Sequence, residues 1–319
     1  MLDLAVVIVT WQVRDLALDA LRSLYADLET SDLNAKVYVV DNASDDGTVD
    51  AIRREFPQVE LIASQDNLGF AAGNNLAIRK MGFDKGSDIG DDQLPATVYL
   101  LNPDTVTTIG ATRKLYDALM RSSQVGLVGA HLEYGDGSFQ HGAFAFPGLR
   151  QLWVEFFPTP GRFIEGRFNG RYPREDYAQQ QPFSVDFTLG ATMMLKREVI
   201  QQTGVFDESF FMYCEEVDWA WRIRKAGWEI QCVPSARVVH LVGQSTSQVK
   251  PRSLENLWSS RLRLFKKHYP PYKLWLAKRM VVMGMRRKER QLLNDETIED
   301  AEREALIAAY RRVIAMVQE

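Results

Sequence analysis

The sequence is poor in the features that would place it quickly in several large classes. Its 319 residues include two cysteines, Cys214 and Cys232, whose spacing matches neither a metal-ligand pattern nor a disulfide framework. Such usage fits a reducing, cytoplasmic compartment. No uninterrupted apolar run approaches the roughly 18–20 residues that span a bilayer. The start, Met1-Leu2-Asp3-Leu4, lacks the basic region of a signal peptide. A soluble or peripheral protein is therefore the expectation. A formal net charge of -4 argues against a general nucleic-acid binder, which would carry an extended basic surface. No Gly-X-Gly-X-X-Gly follows any strand-like run, which argues against a dinucleotide-dependent dehydrogenase.

What is present is alternation. Leu4–Thr10 is a continuous β-branched run, the pattern of a strand buried on both faces of a parallel sheet. Leu16, Ala20, Leu21, Leu24 and Leu28 then recur at helical spacing. Strand-like runs follow at Lys36–Val40, Val59–Ala63, Thr97–Leu101 and Val125–Ala130. Helical stretches lie between them at Val49–Phe56, Ala71–Met81 and Ala111–Ser122. This order predicts an α/β fold with a mostly parallel, doubly wound sheet flanked by helices. Residues 82–94 read as a Gly- and Asp-rich surface loop, and 133–184 as a long excursion over the substrate. Beyond it come strand character at Ser184–Lys196, helices at Arg197–Thr203 and Glu215–Ala226, and strands at Glu229–Val233 and Ala236–His240. From Leu254 the chain is helical and increasingly charged.

The chemistry gathers where strands stop. Pro103 cannot donate to a ladder and pushes Asn102 out of the helical region, so the chain leaves the strand at Asn102-Pro103-Asp104. That leaves a carboxylate and an amide oxygen at the carboxyl edge of an α/β sheet, where ligands bind. Asp41 ends its strand in the same way. Asp45-Asp46-Gly47-Thr48 then opens a helix whose amides could meet an anion. The structural alternative is a set of capped turns, with Asp104 or Thr105 as the N-cap of the following helix.

Three ordered motifs turn the balance: Val39-Val40-Asp41-Asn42-Ala43-Ser44-Asp45-Asp46-Gly47-Thr48, Asn67-Leu68-Gly69-Phe70-Ala71-Ala72-Gly73-Asn74-Asn75 and Leu101-Asn102-Pro103-Asp104. Over about Leu4 to His268 the chain resembles family 2 glycosyltransferases of GT-A fold, in the bacterial rhamnosyltransferase-like branch that builds surface polysaccharides. The resemblance implies inverting transfer of a sugar, rhamnose or a related one, from a dTDP- or UDP-sugar to a glycan or lipid-linked glycan. It also implies a divalent cation, Mn2+ or Mg2+, and work in the cytoplasm or at the inner face of the membrane.

Carried over by motif, Thr10, Trp11 and Asp41 match positions that hold the nucleobase and ribose. Asn67, Gly73 and Asn74 match the loop and helix along the nucleoside diphosphate. Asn102-Pro103-Asp104 stands where the family has its Asp-X-Asp metal motif, which leaves Asp104 as the direct ligand, joined by His240 of Val238–Ser245. On the acceptor side lie Gly190, Ala191 and Glu215. The family's general base falls on Glu216, here Glu in place of Asp, with Asp218 the next candidate. An i,i+4 pairing of Asp218 with Arg222 would instead hold Asp218 structurally. Phe139–Phe146 is the expected place for acceptor stacking. Trp219, Trp221 and Trp228 are expected to pack, and His131, His141 and His268 to be structural.

Two departures, Asn102 and Glu216, keep a non-catalytic donor-binding or scaffold protein as the rival. A nucleotidyltransferase is disfavoured, because Val9-Thr10-Trp11-Gln12-Val13 offers no phosphate loop. Expected organisation is a catalytic domain over 1–269, with a donor half (1–105) and an acceptor half (106–269), and a helical appendage over 270–319. Pro270-Pro271 marks that boundary. The basic, Trp- and Leu-bearing stretch beyond it points to an anionic membrane surface or to a second subunit in a homo-oligomer, although acidic Asp295–Glu304 opposes membrane contact.

Overall fold

The computed structural model describes residues 2–83, 90, 93–241, 250–294 and 297–318. Most of the predicted 82–94 loop, Val242–Ser245 of the His240 motif, and Asp295 and Glu296 of the acidic stretch lie outside the described residues. Contacts divide the chain into two compact units, one of residues 1–145, 174–211 and 215–245, the other of 146–173, 212–214 and 246–319.

The first unit carries a ten-stranded sheet whose eight-strand path is β3-β2-β1-β4-β11-β6-β12-β5, with β7 added beside β6 and β9 beside β12. Its first half is β1 (Leu4–Thr10), β2 (Ala35–Asn42), β3 (Glu60–Ser64) and β4 (Thr97–Leu101), all mutually parallel. Between them run α1 (Arg14–Leu28), α2 (Thr48–Glu55) and α3 (Gly69–Lys80). β1 and β4 are buried at every position, because helices cover both faces. The sheet then changes direction. β11 (Thr192–Lys196) runs antiparallel to β4 on one side and to β6 (Val125–Glu133) on the other. β5 (Thr105–Thr107) leaves the Pro103 corner and pairs antiparallel with β12 (Glu229–His240).

Most predicted elements fall within a few residues of those observed. The exceptions are instructive. β12 is one strand where two were expected; its register shifts between Val233 and Arg237, so Pro234 sits in a bulge and removes no ladder bond. Ser184–Lys196 is three short strands, β9 (Phe183–Val185), β10 (Phe187–Thr188) and β11. The 133–184 excursion is not structureless. It holds β7 (Phe139–Gln140), β8 (Ala143–Phe144), α5 (Leu149–Phe156), α6 (Gly161–Ile164), a 3-10 turn at Arg167–Asn169, and α7 (Arg174–Ala178). Completing the first unit are α4 (Ala111–Arg121), α8 (Arg197–Thr203) and α9 (Glu215–Lys225).

Neither Asp104 nor Thr105 caps the following helix. That role falls to Asp27, fully buried at the end of α1, whose carboxylate accepts the amides of Gly110 and Thr112 (2.9 Å for Thr112). An anion is favoured there by the helix dipole as well as by the orphan amides.

The second unit is helical: α5 and α6 with α10 (Lys250–His268), α11 (Pro271–Leu293) and α12 (Asp300–Gln318). The expected border at 269/270 falls inside this unit, between α10 and α11. Its core stacks Phe156 on Trp258 with ring centroids 5.4 Å apart. Gly284 lets α11 cross α5 closely, since a Cβ there would stand 2.1 Å from the Phe156 ring.

Replacing Asp27 by Asn keeps the shape but turns amide hydrogens toward the α4 amides. The expected cost is about 1–3 kcal/mol, read as a lower midpoint in urea unfolding, with Asp27→Ala at least as damaging.

Candidate active site

The carboxyl ends of β1, β2 and β4 open onto one edge. Thr10 and Asp41 are direct register partners there. The Asp41 Oδ2 accepts the Ser44 amide at 2.9 Å, and the Ser44 hydroxyl accepts the Gln12 amide at 2.9 Å. Gln12 (φ 55) and Ala43 (φ 60) take left-handed conformations to make this wall, beside half-buried Trp11. Several buried polar atoms at this edge have no partner among the described residues: Thr10 Oγ1, Asp41 Oδ1, Asn42 Oδ1 and Asn102 Oδ1. Leaving one such group unmade costs about 1–3 kcal/mol, so their concentration in one place marks a site that a ligand completes.

The anion place expected at Asp45–Thr48 is filled from within. Asp46 accepts the Thr48 amide at 3.1 Å and the Arg14 amide at 2.9 Å, joining the starts of α1 and α2. Burial alone would raise its pKa, but the Thr48 hydroxyl and these amides outweigh that and hold the carboxyl below its ordinary value. Asn67 is exposed and receives the Gly69 amide at 3.0 Å. Gly73 and Asn74 are buried: a Cβ at Gly73 would stand 2.9 Å from Val9, and the Asn74 amide bonds the Phe70 carbonyl at 2.9 Å.

Past the corner, the β5–β12 ladder sets His240 opposite Thr105. The result is a near-buried pair, His240 Nε2 lying 3.5 Å from Asp104 Oδ1. His240 Nδ1 has no partner among the described residues. A carboxylate and an imidazole at this separation can share one cation. Among the described residues no group of three or more His, Cys, Asp or Glu forms a fuller metal cage. A two-donor set suits an ion that draws its other ligands from phosphate and water.

The residues expected on the acceptor side reach the same corner through β11. The Asn102 amide donates to the Ala191 carbonyl at 3.0 Å, extending the β4–β11 ladder by one bond. A methyl at Gly190 would stand 3.7 Å from Cβ of Glu216 and 3.8 Å from the Phe70 ring. Glu215 and Glu216 open α9, entered through two non-glycine residues at positive φ, Tyr213 (70) and Cys214 (67). Glu215 is buried, and burial first, then the neighbouring Glu216 charge, push its pKa well above the ordinary value. Asp218 is fully buried and accepts the Arg222 Nε at 3.0 Å, the i,i+4 pair expected. Trp219 packs as expected, edge-on to Phe206 at 4.6 Å.

Phe139 does not stand open for stacking. It packs edge-on against His141 at 4.8 Å and Tyr177 at 4.9 Å, with the Arg174 guanidinium over it at 4.8 Å. His131 is buried in the same cluster, as is Tyr177, and that burial lowers its pKa. Asn75 carries a role not assigned from sequence. Fully buried, it accepts the Phe206 amide at 3.0 Å and donates to the Phe206 carbonyl and to Glu208 at 2.9 Å each. Gly69, at φ +79, lets the Phe211 carbonyl approach where any Cβ would collide at 2.3 Å, and that carbonyl receives the Phe70 amide at 3.1 Å. α3 and the segment 206–211 are thus fastened together. In the sequence the trace of this fastening is only a second Asn, after Asn74, among the small residues that open the helix.

Comparison with known proteins settles the family, since the model of Glycosyltransferase like family 2 matches residues 3–265. This chain is a family 2 glycosyltransferase. It is 31% identical over 217 residues to the N-acetylglucosaminyl-diphospho-decaprenol L-rhamnosyltransferase of Mycobacterium tuberculosis, covering 66% of this chain and 68% of that one. It is 24% identical over 236 residues to the rhamnosyltransferase WbbL of Escherichia coli K12, covering 70% and 78%. Among solved structures it is similar to a mannosyltransferase from Pyrobaculum calidifontis in complex with GDP-Man and Mn2+. That match has a TM-score of 0.55 at 17% identity and covers 99% of this chain and 84% of that one. It is similar too to GalNAc-T7 with UDP, GalNAc and Mn2+, with a TM-score of 0.58 at 13% identity, covering 100% and 56%. These two likenesses establish the GT-A fold of the glycosyltransferase.

Glu215 gives a signed pH test. Because its folded pKa lies above the unfolded value of 4.5, only the unfolded chain ionises as pH rises through that value. Its contribution then erodes stability until the folded pKa is passed. Glu215→Gln should therefore melt like the parent near about pH 4 and higher than the parent near about pH 8, a difference read by scanning calorimetry.

Proposed function

We propose that this glycosyltransferase moves rhamnose, or a related sugar, from a dTDP- or UDP-linked donor to a glycan or lipid-linked glycan, with inversion at the anomeric carbon. The observation that carries this reading is one continuous edge. Unpartnered Thr10, Asp41 and Asn102 atoms, the Asp104–His240 pair, and Glu216 beside Gly190 succeed one another along it. The named activity of the mycobacterial relative supports rhamnose and a lipid diphosphate acceptor. We place the work at the cytoplasmic face of the membrane, where such an acceptor would present its sugar. No helix among the described residues is long and apolar enough to cross a membrane.

In this reading Asp41 and Thr10 hold the ribose and base with Trp11, and Asn67 lies by the diphosphate. Asp104 and His240 would hold a divalent cation, Mn2+ or Mg2+, which offsets charge developing on the leaving diphosphate. An oxygen and an imidazole nitrogen suit Mn2+. With Asn102 in place of a second carboxylate, the set carries one negative charge fewer and binds the ion more weakly.

Glu216 serves as the base. Its carboxylate takes the proton from the acceptor hydroxyl as that oxygen attacks the anomeric carbon, while the bond to the nucleoside diphosphate breaks on the opposite face. Burial and the neighbouring Glu216 charge bias Glu215 toward its protonated form, which sets the two adjacent carboxyl groups apart. Asp218 is spent on Arg222, which also donates to the Val205 carbonyl at 2.8 Å, so it shapes α9 and takes no proton.

Glu216→Gln should lose about 10²–10⁴-fold in turnover with donor affinity intact. Asp218→Asn should instead lose about 3 kcal/mol of stability with a smaller rate loss. A dead Asp218→Asn enzyme with an unchanged melting point would transfer the role of base to Asp218.

Asp104→Ala should abolish the Mn2+ dependence of donor binding in titration calorimetry while leaving the circular dichroism spectrum unchanged. Metal-dependent affinity persisting in that variant contradicts the assignment. Failure of the parent enzyme to hydrolyse or transfer any nucleotide-sugar would favour a donor-binding scaffold.

A further inference from the structure

Within the second unit, α11 presents two opposite faces. Ala277, Val281, Gly284, Met285 and Leu292 are buried. On the other side Tyr272 (69% exposed), Trp275 (56%), Leu276 and Met283 are open to solvent. Exposed Arg279, Arg286 and Arg290 continue the same three- and four-residue spacing. The Arg279 guanidinium lies over the Trp275 ring at 5.1 Å. Residues 271–290 hold seven Lys or Arg and a single Glu, although the whole chain is net negative. That Glu289 is already paired, accepting Arg311 Nε of α12 at 2.8 Å, and its side chain is 17% exposed. Lys273 and Lys288 lean back over the rings of Tyr269 and Phe156. What remains toward solvent is a ridge of two aromatics, two long apolar side chains and three arginines. No ion pair is recorded for these three arginines among the described residues.

We infer that this ridge docks α11 flat on an anionic lipid surface. Rings and long apolar chains would enter the headgroup boundary while the arginines meet lipid phosphates, the arrangement of an interfacial helix. The charge chooses between occupants. A second copy meeting the ridge across a two-fold axis would set arginine against arginine, with no exposed acid on α11 to relieve it. An anionic membrane complements the whole row at once. The helix lies on the surface and does not span it, because no described helix meets the length and hydropathy of a span. This inference does not depend on the proposed chemistry, since vesicle binding is read without donor or acceptor.

The experiment is co-sedimentation of the full chain with vesicles of phosphatidylcholine, with and without phosphatidylglycerol, at low and high salt. The parent should pellet with the anionic vesicles alone and be released by salt. Each arginine should be worth roughly fivefold in partition, so losing three costs on the order of a hundredfold and the charge reversal R279E/R286E/R290E more than that. Trp275→Ala with Leu276→Ala should weaken binding without changing its salt dependence. Unchanged melting curves show that the variants fold. No pelleting, equal pelleting with neutral vesicles, or an undiminished charge variant overturns the inference. So does a concentration-dependent dimer, seen by sedimentation velocity, that the same variant breaks in the absence of lipid binding.

Discussion

The site depends on the direction of one strand. β11 lies between β4 and β6 and runs against both, so its first residues stand at the carboxyl end of β4. Were it parallel, Gly190 and Ala191 would lie at the far edge of the sheet, a full strand length from Asn102. Antiparallel pairing needs no crossover and lets the ladder run one bond further, from the Asn102 amide to the Ala191 carbonyl. The Asn102–Asp104 corner and the Gly190–Ala191 turn are consequently joined by the same hydrogen-bonded ribbon.

A second fastening reinforces the first. Asn75 and Gly69 sit on α3, yet their partners belong to the segment 206–211 that precedes the acids of α9. A displacement of that segment would break bonds to a fully buried amide, which the protein interior penalises heavily. The positions of α3 and of the start of α9 are therefore coupled through the fold itself, the kind of rigidity that positional catalysis draws on.

The two buried acids of α9 show how environment separates like groups. Asp218 meets a guanidinium and is held as an ion pair. Glu215 meets no cation among its recorded partners and is pushed toward its neutral form by burial and by the Glu216 charge. One turn of helix thus holds two buried carboxyl groups in opposite electrostatic settings.

The sequence by itself determined the strands and helices of the parallel half, because a strand buried on both faces must be apolar throughout and covering helices must repeat at their own period. It also determined the corner at Pro103, which is a local steric consequence, and the pairing of Asp218 with Arg222, which one helix suffices to make. The tertiary structure alone decided the rest. β5, three residues long, has no periodicity to read, and it brings Asp104 to His240 only by pairing with a strand over a hundred residues away. Likewise the carboxylate that caps α4 comes from Asp27, a distant helix, and Phe139 closes into its own aromatic cluster where an open platform was expected. Such contacts depend on which groups the folded chain leaves within reach, and local pattern carries no record of that.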